Sequence, residues 1–314
     1  MNTHPSSTAR SAEEALGADE RQAGASGRLP HIGVLRFAGP DAVSFLQGQV
    51  SNDTRRLAEG APLLAAYSSA QGRVIAVLHL LPHSSGVLAL LPQDVLAPTC
   101  ERLRKFVLRA KVKIEDVSDR LAVIGVHGAA ALRAAGLEAP ETGGYLERDG
   151  VGIARVGPAG STRYWMIREA AAESGTAPGI ETAWRLADIR AGLPTVYAPT
   201  SEAFVAQMLN LDLIDGISFG KGCYTGQEII ARTQNLGRIK RRLSRLRLPS
   251  GPWSIGGQLR LGDGRSGRLT ELAPVGTGFE ALAVLSLDAG AGDTETASGE
   301  TVLAEELSLP YRTA

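Results

Sequence analysis

The segment Ile217-Ser218-Phe219-Gly220-Lys221-Gly222-Cys223-Tyr224-Thr225-Gly226-Gln227-Glu228-Ile229-Ile230-Ala231-Arg232-Thr233 decides how the rest of this chain is read. Gly220, Gly222 and Gly226 crowd around Cys223, and glycine serves where a side chain would block a left-handed turn or a close backbone approach. Cys223 is therefore expected on a tight, exposed turn. Thr225-Gly226-Gln227-Glu228 fits the S/T-x-x-E capping box, with Ile229 and Ile230 as the first apolar residues behind it, so a helix is predicted to start there. The sulfur would then lie just outside a helix N-terminus, facing unpaired N–H groups, a positive end charge and the Lys221 ammonium two residues away. Each of these favours thiolate over thiol. Cys223 and Lys221 are the candidate catalytic residues. Glu228 has a capping role that explains it without any chemistry.

Outside this segment, 314 residues with 44% hydrophobic content exceed one ordinary core and predict two or three domains. The 33 basic residues balance the 33 acidic ones, so no global field recruits nucleic acid or membrane, and any polyanion site must be local. One such stretch exists. Arg232, Arg238, Lys240, Arg241, Arg242, Arg245 and Arg247 follow one another with no acidic residue between them. They read either as the solvated face of a strand or as an anion site for phosphates or a poly-carboxylate. Cys100 and Cys223 form no C-x-x-C pair, which suggests neither a zinc site nor a disulfide framework and fits a reducing cytoplasm. The apolar run Val74 to Leu78 falls far short of the ~20 residues that cross a bilayer. Residues 1–29 lack the apolar core of a secretory signal and read as a disordered tail.

Alternation and turn residues predict a strand over His31 to Phe37, a short helix through Phe45 and Leu46, a hairpin of Leu63 to Tyr67 with Arg73 to Leu81, and a strand from Gly86 to Leu91. A helix over Asp94 to Leu108 places Cys100 in a core. After a strand at Lys111 to Asp116 the pattern restarts, with strands at Leu121 to Val126, Val151 to Val156 and Arg163 to Ile167. A helix from Glu181 to Ala191, stopped by Gly192 and Pro194, puts Trp184, Ala187, Asp188 and Ala191 on one face and Arg190 on another. Trp184 there offers either core filling or a flat surface for a heteroaromatic ring. Pro194 to Ile217 is irregular, and long irregular stretches in compact domains are often functional. Beyond Leu248, short strands broken by Gly, Pro and Asp suggest a small β-barrel, with Gly290 to Gly299 as a mobile loop.

Lys221-Gly222-Cys223-Tyr224-Thr225-Gly226-Gln227-Glu228 resembles the K-G-C-Y-x-G-Q-E signature of the YgfZ-type folate-binding proteins, relatives of the glycine-cleavage T-protein (aminomethyltransferase). Phe45 to Asp53, Gln71-Gly72-Arg73 and Arg190-Ala191-Gly192-Leu193-Pro194 support it, in family order. The resemblance implies an α+β fold: a three-part, T-protein-like ring of two α+β blocks and a C-terminal β-barrel. The implied domains are a folate-binding core of 30–118 with 181–235, a second block at 119–180 and a barrel at 236–314. It also implies tetrahydrofolate or a folate derivative as cofactor, held in the central hole by Trp184, Arg190, Tyr224, Gln227 and Glu228. The implied activity is accessory support of iron–sulfur enzymes, including those that thiolate tRNA, with Cys223 beside the folate pocket.

Where the T-protein carries an acidic pair after its Gly-Gly turn, this chain has Ala76 and Val77. Without a carboxylate the folate N5 loses its proton-transfer partner, which argues against glycine-cleavage chemistry. Two alternatives stand beside the accessory role. A one-carbon transferase would need a substitute carboxylate such as Asp53 or Asp188. A non-catalytic scaffold would contact tRNA or a partner protein through Arg238, Lys240, Arg241 and Arg242.

Overall fold

The computed structural model describes residues 26–140, 144–157, 161–172, 179–235, 237–288 and 301–311. The chain opens with β1 (Ser26–Arg28) and β2 (Ile32–Ala38), then α1 (Ala42–Gln47), β3 (Leu63–Ser68), β4 (Val74–His83), β5 (Gly86–Pro92), α2 (Gln93–Arg104) and β6 (Lys113–Asp116). There follow β7 (Leu121–His127), α3 (Ala129–Ala134), β8 (Tyr145–Arg148), β9 (Val151–Val156), β10 (Arg163–Glu169) and α4 (Ile180–Ala191). After an irregular stretch come α5 (Gln227–Asn235), β11 (Arg241–Leu248), β12 (Gln258–Leu261), β13 (Ser266–Val275), β14 (Gly278–Ser286), β15 (Thr301–Val302) and β16 (Glu305–Leu307).

These strands make three sheets, in the orders β3-β4-β5-β2-β6, β1-β7-β10-β9-β8 and β15-β12-β13-β14-β11-β16. Alternation along β4 shows why the first two pack as they do. Leu78 and Leu80 point into a core with Phe45 and Leu46 of α1 and Leu96 and Leu103 of α2, each buried leucine contributing about 1.5–3 kcal/mol. Val77 and Leu81 take the opposite face. There Leu81, Leu88 and Leu90 meet Trp165 and Ile167 of β10 and Trp184 of α4. Sheet two thus lies against sheet one with α4 in the joint. The irregular segment after α4 buries Val196, Phe204, Leu209 and Leu211 with Val77 on one side and Leu243, Leu282 and Val284 of the third sheet on the other, so it joins the first sheet to the third.

The predicted strands and helices are present within a few residues, and Cys100 is buried in the first core. Three expectations change. Residues 26–29 are not tail: β1 pairs antiparallel with β7, Gly27 opposite Gly125, and Leu29 is buried. The C-terminal strands form an open sheet, a half-barrel, because β15 and β16 stand at its two ends without closing on each other. The helix behind Cys223 begins at Gln227, not directly after Thr225; Gly226, at φ +81°, makes the left-handed step that precedes it. Gly290 to Gly299 and residues 1–25 lie outside the described residues.

Candidate functional site

Cys223 is a free, exposed cysteine, as expected, but Gly220 and Gly222 are not demanded by their surroundings: neither has a positive φ, and a Cβ built on either would meet nothing within 4 Å. Gly226 is different. A Cβ there would come within 2.6 Å of the Ser69 carbonyl oxygen and 3.0 Å of Gly72 Cα, so the glycine lets the end of the cysteine loop close onto the β3–β4 turn. The other side of the loop rests on residues 47–54. Ser218 N–H donates to Ser51 O (3.0 Å) and Thr225 N–H to Gly48 O (3.3 Å). Asn52, wholly buried, donates through Nδ2 to the carbonyls of Leu64 (2.8 Å) and Asp215 (2.6 Å).

Lys221 is not beside the thiol as an exposed cation. Its side chain is buried, and its ammonium donates to the carbonyls of Gln47 (2.7 Å), Val50 (2.7 Å) and Asn52 (2.8 Å). It also lies 4.8 Å from the centroid of the Tyr224 ring, a cation–π distance. Burial pushes its pKa down to about 8, with the Asp53 carboxylate working against that fall. Tyr224 is buried beneath it, its hydroxyl pushed up to about 12 by the same cause. Gln227 is half-buried and Glu228 exposed, both in the first turn of α5.

A separate cleft lies between the first two sheets, with about 420 Å³ of empty space that includes open solvent. Val77 and His79 reach it from β4, Leu90, Leu91 and Pro92 from β5, Trp165 from β10, Asp188 from α4, and Pro194, Thr195 and Tyr197 from the segment that follows; His31 and Ile32 complete its lining. His79 stands edge-on to Trp165, with ring centroids 4.5 Å apart. Burial holds both His31 and His79 neutral, lowering each to about 3. Asp188 accepts from Arg163 Nη1 at 2.8 Å; its pKa is raised by burial, which the Arg163 charge only partly offsets. Trp165 Nε1 is buried with no hydrogen-bond partner among the described residues, although a buried N–H normally has one.

A second buried cluster backs this wall. Tyr197 donates to Glu271 of β13 at 2.6 Å, Arg185 of α4 reaches the same carboxylate at 3.3 Å, and the Arg185 guanidinium lies 5.2 Å from the Tyr197 ring centroid. Burial raises Glu271 to about 7 despite the Arg185 charge.

Several expected site residues sit elsewhere. Trp184 is fully buried and is absent from the cavity lining. It packs over Gly125, whose added Cβ would come within 2.5 Å of the indole, and behind Trp165, with 6.3 Å between centroids. Arg190 donates to Glu280 at 2.9 Å, and Arg245 reaches the same buried carboxylate at 2.7 Å, so both serve the joint between α4 and the half-barrel. Arg242 is buried and forked onto Asp212 at 2.7 and 3.0 Å. Arg247 pairs with Glu305 and Arg238 with Asp288, whereas Arg232 and Lys240 are exposed and Arg241 half-buried. The basic run is thus largely neutralised by carboxylates distant in sequence. Cys223 does not line the cavity either. Its loop closes on Gly72, five residues before Val77, and five strand residues span roughly 17 Å. His79, Trp165 and Tyr197 were not singled out from the sequence; the one available signal was a histidine at an inward-facing position of an apolar strand.

Three sheets, the first two meeting at an aromatic cleft, make an aminomethyltransferase-like fold. The crystal structure of glycine cleavage system aminomethyltransferase T from Bartonella henselae superposes with a TM-score of 0.62 at 14% identity, covering 94% of this chain and 89% of that one. No family model matches the sequence. The tRNA-modifying protein YgfZ of Edwardsiella ictaluri is 34% identical over 301 residues, 89% of this chain and 90% of the relative. The protein of the same name from Colwellia psychrerythraea is 33% identical over 224 residues, 68% and 69% of the two chains. This chain belongs to the YgfZ family. Among the described residues no helix is long and apolar enough to cross a membrane, and no group of three or more His, Cys, Asp or Glu is placed to hold a metal ion.

Proposed function

We propose that this protein binds tetrahydrofolate or a derivative in the central cavity and acts in tRNA modification as an accessory protein, supporting assembly or repair of iron–sulfur enzymes that include tRNA-thiolating ones. The observation that carries the reading is the cavity itself: aromatic and apolar walls, one carboxylate held by Arg163, and an unpaired indole N–H. A pterin ring matches that set. Its amino edge donates to a carboxylate such as Asp188, its carbonyl accepts from an N–H such as Trp165 Nε1, and its faces bury against Val77, Leu90 and His79. When bound, the folate supplies a reduced ring and a pair of nitrogens that carry one-carbon units. Because the cysteine loop is outside the cavity lining, the Cys223 thiol serves at the surface, where a partner protein or RNA reaches it.

Val77, which with Ala76 the resemblance matches to the T-protein's acidic pair, lies on the cavity wall, and His31 and His79 are held neutral. Both facts favour a binding role. The transferase reading rests on Asp188 as substitute carboxylate, and turnover of methylenetetrahydrofolate with amine or thiol acceptors would establish it. Titration with tetrahydrofolate tests the main reading: Trp165→Ala should weaken binding at least about tenfold through lost stacking and the lost N–H. Cys223→Ala should leave affinity unchanged while failing to restore iron–sulfur enzyme activity in a deletion strain. No binding by the wild type, or unchanged affinity in Trp165→Ala, removes the cavity assignment; full restoration by Cys223→Ala removes the thiol.

A further inference from the structure

We infer that Lys221 is a positioning residue: its ammonium fills a cage of backbone carbonyls from Gln47, Val50 and Asn52 and so pins the cysteine loop, fixing where Cys223 is presented. The inference builds on the assignment of function to Cys223 and adds how that thiol is held.

An ammonium has three N–H donors and no acceptor, and the three carbonyls at 2.7, 2.7 and 2.8 Å use all of them. The cage is preformed by contacts that do not involve Lys221. Ser51 Oγ donates to Gly216 O and accepts from Ala66 N–H, while Asn52 is tied to Leu64 and Asp215. Residues 47–52 are therefore rigid, with their carbonyls turned toward one point. The cysteine loop is held at fewer points, with Tyr224 packed into the core beside Ile217 and Ile230. Its backbone is tethered at Ser218 and Thr225, and between them Gly220 and Gly222 stand in open space on either side of Lys221. The buried cation at the middle of this glycine-flanked loop, with the Tyr224 ring 4.8 Å away, is the tie that fixes the Lys221 side of Cys223. With its donors spent and its side chain buried, Lys221 has no hydrogen left to offer the thiol or a substrate, so a direct catalytic role is replaced by a structural tie to the backbone.

A cage of carbonyls that holds an ammonium group should also accept free ammonium. In Lys221→Ala, hydrogen exchange of residues 217–225 should accelerate at least about tenfold, the scale set by losing charge-assisted hydrogen bonds, and the iodoacetamide alkylation rate of Cys223 should change with it. Ammonium chloride should return both rates to within about twofold of wild type by binding the vacated cage; tetramethylammonium chloride, which cannot donate, should not. Tetrahydrofolate affinity of the variant, measured in ammonium, should match wild type. For a Lys221→Ala preparation that is unfolded in plain buffer, refolding yield should rise in ammonium chloride and not in tetramethylammonium chloride. Wild-type exchange and alkylation rates without ammonium, or equal effects of the two salts, would overturn the inference. Should Cys223→Ala prove fully active while ammonium still rescues Lys221→Ala, the role of the thiol fails and the carbonyl cage stands.

Discussion

The central cavity and the cysteine loop hold their polar groups by opposite means. Around the cavity, side chain meets side chain across sheets: Arg163 of β10 with Asp188 of α4, and Arg185 of α4 with Glu271 of β13. In the loop a single side chain meets backbone, Lys221 against the carbonyls of residues 47–52. The first arrangement ties separate parts of the chain together and is costly to break, since an ion left behind is buried and unpaired. The second fixes one short loop and leaves the thiol in solvent, where its loss costs the fold almost nothing. Stability and presentation are thereby assigned to different regions.

Removing one partner of the cavity pair should have the largest effect. Arg163→Met strands the Asp188 carboxylate and is expected to destabilise the protein by roughly 3–5 kcal/mol in urea unfolding, with Asp188→Asn in the same background recovering part of it. A loss below about 1 kcal/mol would mean that the pair does not join β10 to α4.

Glu271 sharpens the same contrast through pH. Its carboxyl is raised by burial to about 7 in the fold and lies near its ordinary value, 4.5, when unfolded. A raised acid contributes stability that is present below the unfolded value and lost as pH rises through the folded one. Between pH 4 and pH 8 the wild type should therefore lose on the order of 3 kcal/mol relative to Glu271→Gln, measured as the difference between their urea midpoints. Parallel pH profiles would show Glu271 to be ionised throughout by Arg185. At the other extreme, Cys223→Ser should shift unfolding by less than about 0.5 kcal/mol, as exposed substitutions do, and a larger loss would mean the thiol is part of the packing after all.

The loop around Cys223 was legible as an open turn because its glycines are local, although what holds that turn in place, Lys221 on the carbonyls of residues 47–52, was not. The strands and helices were legible for the same reason, and the eight residues from Lys221 to Glu228 pointed to the family that the relatives establish. Trp184 shows the limit. Of the face read for its helix only Trp184 is buried, with Ile180 and Ile189 as the helix's other buried residues, and only Gly125 and Trp165 arriving from another sheet seal the indole away. Arg190 and Arg242 were equally opaque. Their carboxylates lie at Glu280 and Asp212, and nothing in a run of arginines says that acids from elsewhere will neutralise it.

Residues adjacent in the chain were thus enough to set the elements, the open turn at Cys223 and the kinship, since each of these follows from local order. It took the packed fold to bring Lys221 onto the backbone of residues 47–52 and to gather His79, Trp165 and Asp188 around one cavity. A cavity, like a buried charge pair, exists only where distant segments converge, and that convergence is set by how whole sheets bury their apolar faces against one another.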